Sequence, residues 1–507
     1  MASLAVLVGM FPATADESDR ARLILSRATY GARPGELERV LAMGTTTWLD
    51  EQLHPERIDD GVLADRLSRL DNLELSTSEL MRKYPRPSRE EREARQKARE
   101  EPVRSPAERG ERMRNGQASV LLQLSEAKLV RAVHSEAQLL EVMTDFWFNH
   151  FNVYARKNRN TLLALPSFER DAIRPHALGR FDDLLLATAT HPAMLFYLDN
   201  WINTKDGFDP REAMRAQMGR GRGRRQRAPE EDERRREFGI NENYARELME
   251  LHTLGVDGGY DQDDVVEVAR ALTGWSVVGP GVTRTRERQG GRSGRGRPSF
   301  LTGVPDEGEF FFNALAHDEG AKTVLGSKLD TEGVAEGRAV ITMLSRHPAT
   351  ARFIAEKLAQ KFVSDTPSDA LVTALSTSFT AHDGDISEVL RTLFLSERFV
   401  EEGLAAKKVK TPLELVASAA RETEARVVGA GLVRALTDLG MPLYMCRPPT
   451  GYDEAATAWL SAGSLLSRAR FAESFASGSL PGVRLSREVE DVDATALHLA
   501  SPGFQLQ

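Results

Sequence analysis

The ionisable side chains best placed for chemistry lie in two stretches of helical spacing. The first reads AVHSEAQLLEVMTDFWFNHFNV. At about 100° per residue, His134, Gln138, Glu141, Asp145 and Asn149 share one stripe, while Met143, Phe146, Trp147 and His150 share the opposite, apolar one. A polar stripe of this kind ordinarily faces water. His150 is the odder residue, because an imidazole among aromatic rings has to find a hydrogen-bond partner when buried. Two readings stand side by side for it: a satisfied core histidine, and a member of a pocket walled by Trp147 and Asn149.

The second stretch is GINENYARELMELHTLGVDGGYDQDDVVEVARALTGW. Asn243, Arg246, Glu247 and Glu250 share one helix face, with Tyr244, Leu248 and Leu251 on the other. Arg246 and Glu250 have the i, i+4 spacing of an ion pair that would lock the face. His252 points away from the carboxylates in a regular helix, and Gly255 ends it, so a cation at 252 suits the last turn. Two carboxylates and an arginine on one face suit acid–base work, and they equally suit a solvated surface. Smaller pieces are His317-Asp318 with Lys322 after them, and Asp199, Asn200 and Asn203 at the end of a helix that starts at His191. There is no GxSxG elbow, Walker loop, HExxH or dinucleotide fingerprint. Glu51 and His54 form one Glu-x-x-His, but a di-iron bundle needs two, with further inward glutamates.

The elements that must position these residues are mainly helices. Apolar residues recur at about 3.6-residue spacing over long segments, and strand-like alternation is rare. Thr411-Pro412-Leu413-Glu414 combines an N-cap, proline at the first helical position and a capping-box glutamate. Asp261 and Asp264 start a further helix, and His191-Pro192-Ala193 and His347-Pro348-Ala349 read as starts with a cap-like histidine. The β signal is Trp275-Ser276-Val277-Val278 with Glu309-Phe310-Phe311-Phe312, a small hairpin at most. The expected fold is therefore a large multi-helix globular domain over residues 18–475, followed by a C-terminal segment, 476–507. Charged inserts at about 86–115, 205–237 and 284–298 cannot bury enough apolar surface to offset chain entropy; the last two read as disordered loops, the first as a solvated helix or loop.

A chain of 507 residues that is 41% hydrophobic and 28% charged is globular, and a net charge of −8 with 7% aromatics argues against nucleic acid as a partner. The lone cysteine, Cys446, excludes an internal disulfide and reads as a buried thiol rather than a nucleophile. No stretch is long and apolar enough for a transmembrane anchor. Residues 1–17 are apolar and small, and Ala13-Thr14-Ala15 reads as a signal-peptide cleavage site without its basic n-region. The expectation is an exported protein whose leader is truncated; the alternative is an apolar segment docked on a cytoplasmic fold.

FWFNHFNV, IRPHALGRFDDLLLATATHPAMLFYLDN, NENYARELMELHTLGVDGGYDQDDVVEVARALTGW, HDEGAKTVLG, HPATARFIAEKLAQKFV, KVKTPLELV and the ending LASPGFQLQ occur in that order. In this the chain resembles a bacterial domain of unknown function, family 1800, over nearly its whole length outside the charged inserts. Phe148 departs from the pattern, since many relatives carry histidine there, and a metal ligand at that position would be missing here. Genes of the family often neighbour those of family 1501, which resembles exported sulfatases and phosphatases, so the resemblance implies such a protein as a partner.

Two expectations follow. One is an exported enzyme, with a metal ion as an open option, in which His150, Glu247, Glu250, His252 and His317 converge on a pocket completed by Trp147, Asn149, Asn243, Arg246 and Asp199. The other is a non-catalytic exported interaction or assembly protein acting with a family-1501 partner or a surface polymer. Convergence of the ionisable groups favours the first; a broad exposed apolar patch favours the second.

Overall fold

In the computed structural model the helix starts expected from sequence chemistry are the observed ones. Thr411 and Asp261 each accept a hydrogen bond from the backbone N–H three residues on, and Glu414 and Asp264 return the bond, completing two capping boxes. His191 and His347 accept from Ala193 N and Ala349 N through their side chains and cap the helices Pro192–Tyr197 and Pro348–Phe362. The structure describes residues 17–86, 88, 90, 93, 116–209, 239–279, 305–427, 431–485 and 491–507. Residues 1–16, where a truncated signal peptide is expected, and most of the three charged inserts lie outside these residues.

Of the described residues, 62% are helical. The expected hairpin forms, with Trp275–Val277 antiparallel to Phe310–Phe312 and Trp275 opposite Phe312. Thr323–Val324 with Ser327–Lys328, and Arg426–Val427 with Val483–Arg484, add two pairs of two-residue strands, too short to leave an alternation in the sequence. Trp275 is fully buried, and its indole lies so close to the helix Val334–Ser345 that a Cβ at Gly337 would sit 2.4 Å from the ring. Glycine is there because that crossing leaves no room for a side chain.

Beside a smaller cluster that gathers Leu80, Val120, Leu163 and Leu195, the main apolar core draws residues from Ala21 to Phe504. The last residues belong to it: Leu499 and Phe504 are buried, and Lys408 and Gln507 exchange two backbone hydrogen bonds. Among the described residues no helix is long and apolar enough to cross a membrane.

The polar stripe of the helix Gln138–His150 does not face water as expected. Glu141 is buried and takes two hydrogen bonds of 2.8 Å from Arg174. Asp145 pairs with buried Lys128 at 2.7 Å, which also lies 3.3 Å from Glu169. The Tyr444 hydroxyl donates to Glu169 at 2.7 Å, and neighbouring cations hold the Glu169 carboxyl below its ordinary pKa. Glu169 lies in a π-helical stretch, Phe168–Ile173, directly before Arg174. The stripe is buried because helix Ala118–His134 and this stretch bring opposite charges to it, which sequence periodicity does not show. Phe148 packs in the same place, its ring 4.8 Å from that of Tyr444 and 5.1 Å from the Lys128 ammonium.

Candidate functional site

The Gln138–His150 helix ends against a proline-rich loop, and its last polar side chains hold that loop in place. Asn149 Nδ2 donates to the Tyr452 carbonyl at 2.8 Å, and Asn149 Oδ1 accepts from the Tyr452 N–H at 2.7 Å. Gly451 allows this close approach: its φ is +76°, and a Cβ would stand 2.3 Å from the Asn149 carbonyl oxygen. Asn152 Nδ2 donates to the carbonyls of Cys446 and Pro448 at 3.1 and 2.7 Å. Tyr197, from the helix that His191 caps, donates its hydroxyl to the Arg447 carbonyl at 2.7 Å. Trp147, expected in a pocket wall, is instead fully buried and donates to the Ala177 carbonyl at 2.9 Å.

The second ionisable stretch packs beside the first. Its helix Asn243–Glu247 widens into a π-helical stretch, Leu248–Thr253, rather than staying regular. This brings His252 into the core, with its ring 6.0 Å from that of His150 and 5.1 Å from Phe151. The polar partner that His150 finds is the His252 carbonyl, 3.1 Å from Nε2, not a carboxylate. Among the described residues, His150 Nδ1 and both His252 ring nitrogens are buried without a partner. Burial and the nearby Lys357 amine push both imidazole pKa values down, His252 to about 3, so both rings are neutral. Lys357, itself largely desolvated and held below its ordinary pKa, lies 5.4 Å from the centre of the Phe353 ring. An imidazole pair of this kind is a poor acid and a poor cation.

The carboxylates take a different position. Glu247 and Glu250 are half-buried, and neither has a hydrogen bond or ion pair among the described residues. Arg246 does not lock Glu250; it pairs with Glu242 at 2.9 Å and bonds Gln262 at 2.8 Å. The π stretch supplies the reason, since its wider turn no longer stacks the residue four places on above Arg246. Desolvation and the Glu250 charge raise the Glu247 pKa above the ordinary carboxylate value, with Arg246 only partly opposing. Glu247 and Cys446 lie close enough to Tyr197 to add to the burial that raises its phenol above the usual range. Burial alone pushes the Cys446 thiol up to about 11, as expected for a protonated, unreactive thiol. Asn243 donates to the Leu198 carbonyl at 3.2 Å, beside Asp199, which is in a left-handed conformation and pairs with Lys157 at 2.8 Å.

His317 belongs elsewhere. It lies against Thr273, whose carbonyl is 2.8 Å from Nδ1, with Nε2 3.3 Å from Glu336. Glu336 is held in turn by fully buried Lys322 at 2.6 Å, and Arg270 grips Asp318. The five expected catalytic residues therefore divide into a buried pair, His150 and His252, a half-buried pair, Glu247 and Glu250, and the His317 network. No three His, Cys, Asp or Glu side chains among the described residues are arranged as a metal-ligand set. The residues that sequence reasoning missed are Tyr197, Asn152, Tyr452 and Lys357, which come to the site through packing of separate helices. The proline-rich turn around Cys446 was the one visible signal.

A family model described as Protein of unknown function (DUF1800) matches residues 23–505. The chain belongs to this family. No curated protein and no solved structure matches it. The match runs through every stretch that builds the site, from the asparagine clamp at Asn149 to the loop it holds. The family description carries no activity, so chemistry has to be argued from the side chains.

Proposed function

We propose that the protein is an exported enzyme that moves protons with Glu247, near the Tyr197 phenol that bonds the clamped loop. The observation that supports this is a half-buried carboxyl with no partner among the described residues, raised by desolvation and then by the Glu250 charge, and near enough to the Tyr197 phenol to act on it. A carboxyl whose pKa is raised above the ordinary value holds a proton more readily and can both give and take one, as general acid–base work requires. In this reading Glu247 exchanges the proton, burial and Glu250 keep its pKa raised, and Asn149 and Asn152 hold the loop that Tyr197 bonds. On the same reading the buried imidazoles are scaffold, and the proton transfer is assigned to the carboxyl alone.

The test is turnover of ester, phosphate, sulfate and glycoside substrates by wild-type protein and by Glu247→Gln. The proposal expects at least one substrate whose turnover falls about 100-fold or more in the variant while the helical circular dichroism is unchanged. Equal turnover by both proteins on every substrate accepted would overturn it.

A second reading, an exported assembly protein that docks a family-1501 partner, is supported by a different observation. Leu460, Leu465, Leu466 and Leu497 are all exposed on the C-terminal helices Ala462–Ala476 and Val492–Ala500 or next to them. Co-purification with such a partner, lost on Leu465→Lys with Leu466→Lys, would support it over the enzyme reading.

A further inference from the structure

One cleft among the described residues shares no residue with the Glu247 patch. It has a volume of about 350 Å³ and opens between the first helix, Glu17–Ala28, and the Lys408–Lys410 segment, which pairs with the chain end. Leu25, Leu37 and Leu506 give it apolar walls, and Arg22, Arg33 and Lys410 bring positive charge. A cleft of this size is in the range that takes small ligands, which runs from about 300 Å³ upward.

The three cations are not equivalent. Arg33 is spent on Glu136 and on the Val133 carbonyl. Arg22 is exposed and has no ion pair among the described residues. Lys410 is 9% exposed, and among the described residues its ammonium has no hydrogen bond or ion pair; the Phe504 ring centre lies 4.0 Å from Nζ. Its backbone is fixed on both sides, with N–H to the Gln505 carbonyl and C=O accepting from Arg468 at 2.6 Å. The carboxylate in the lining, Glu422, is engaged by His498 at 2.7 Å. An ammonium largely withdrawn from water, with carboxylates acting on it only at a distance, costs free energy that an arriving anion would return.

We propose that this cleft is a binding site for a small organic monoanion with an apolar body, whose carboxylate pairs with Lys410 while its body lies on Leu25, Leu37 and Leu506. Arg22 stands at the rim and attracts the anion without burying its own charge. Several charged groups face Lys410 from the surrounding elements. Glu422 and Glu414 favour its charged form, Arg468 opposes it, and burial outweighs them, so the amine sits at about 8. Near pH 8 it is about half protonated when empty, and an anion that completes the pair draws in the rest, about half a proton per ligand.

Octanoate is the probe, with acetate and inorganic phosphate as comparisons, measured by titration calorimetry on the full chain near pH 8 in two buffers of different ionisation enthalpy. The proposal expects octanoate to bind at least 10-fold tighter than either comparison, with uptake of about half a proton, and Lys410→Met to weaken it by 10-fold or more. Phosphate binding as tightly as octanoate, no preference over acetate, or no proton uptake by the wild type would overturn it. Because the last three readings use unaltered protein, a Lys410→Met variant that fails to fold leaves the decision intact.

Discussion

His252 is buried with both ring nitrogens unpartnered and its pKa pushed down to about 3. Its unfolded-state value is the ordinary 6.5. The unfolded chain therefore binds the extra proton between these values, so folding stability is full above about pH 6.5 and is lost as pH falls. At about pH 4.5 the gap corresponds to two pH units of titration, or about 3 kcal/mol from this ring alone. His252→Phe keeps a ring of similar outline next to Phe151 and Tyr244 and removes the titration. It also removes two buried polar atoms that have no partner, so stability near neutral pH should be unchanged or higher by about 1 kcal/mol. The assay is urea unfolding followed by circular dichroism at about pH 7 and pH 4.5. The variant should lose about 3 kcal/mol less than wild type between the two. An acid loss equal to that of wild type, or a large loss at neutral pH, would refute the assignment of a neutral, unpartnered ring.

The asparagine clamp and the buried ion pairs give two further expectations. Asn149→Ala removes both bonds to Tyr452 and should lower the local opening free energy there by about 2–3 kcal/mol, speeding hydrogen exchange at the Tyr452 amide by roughly 30-fold or more; exchange within a few-fold of wild type would show that Gly451 and its neighbours hold the turn unaided. Glu141→Ala strands the Arg174 guanidinium beside Glu169, 3.9 Å away, and should cost about 3–5 kcal/mol, whereas adding Arg174→Met should recover much of it. Additive losses in the double variant, read from urea midpoints, would contradict the pairing.

The helical fold was legible because its signals are local. The Thr411 and Asp261 capping boxes and the two histidine caps need only neighbours in sequence, and all of them formed. The site was legible in part. That the stretch ending at His150 meets the stretch ending at His252 follows from apolar faces needing each other, but the bond between them uses a backbone carbonyl, which residue types do not announce. The polar stripe of Glu141 and Asp145 read as solvent-facing because Lys128 and Arg174 reach it from other elements. The π-helical stretches broke the regular spacing on which the Arg246–Glu250 pair depended, and nothing in LMELHT marks the extra width. His317 looked like a member of the same site for want of knowing that Glu336 and Lys322 already engage it.

The central claim rests on the protonation of one carboxyl, and that can be measured directly. Glutamate side-chain carbons labelled with carbon-13 are followed by NMR through a pH titration, with Glu247 assigned by its loss in Glu247→Gln. The account predicts a midpoint above the ordinary carboxyl value of 4.5 for Glu247, moving down when Glu250→Gln removes the neighbouring charge. A Glu247 midpoint at or below 4.5, unmoved by Glu250→Gln, would contradict it.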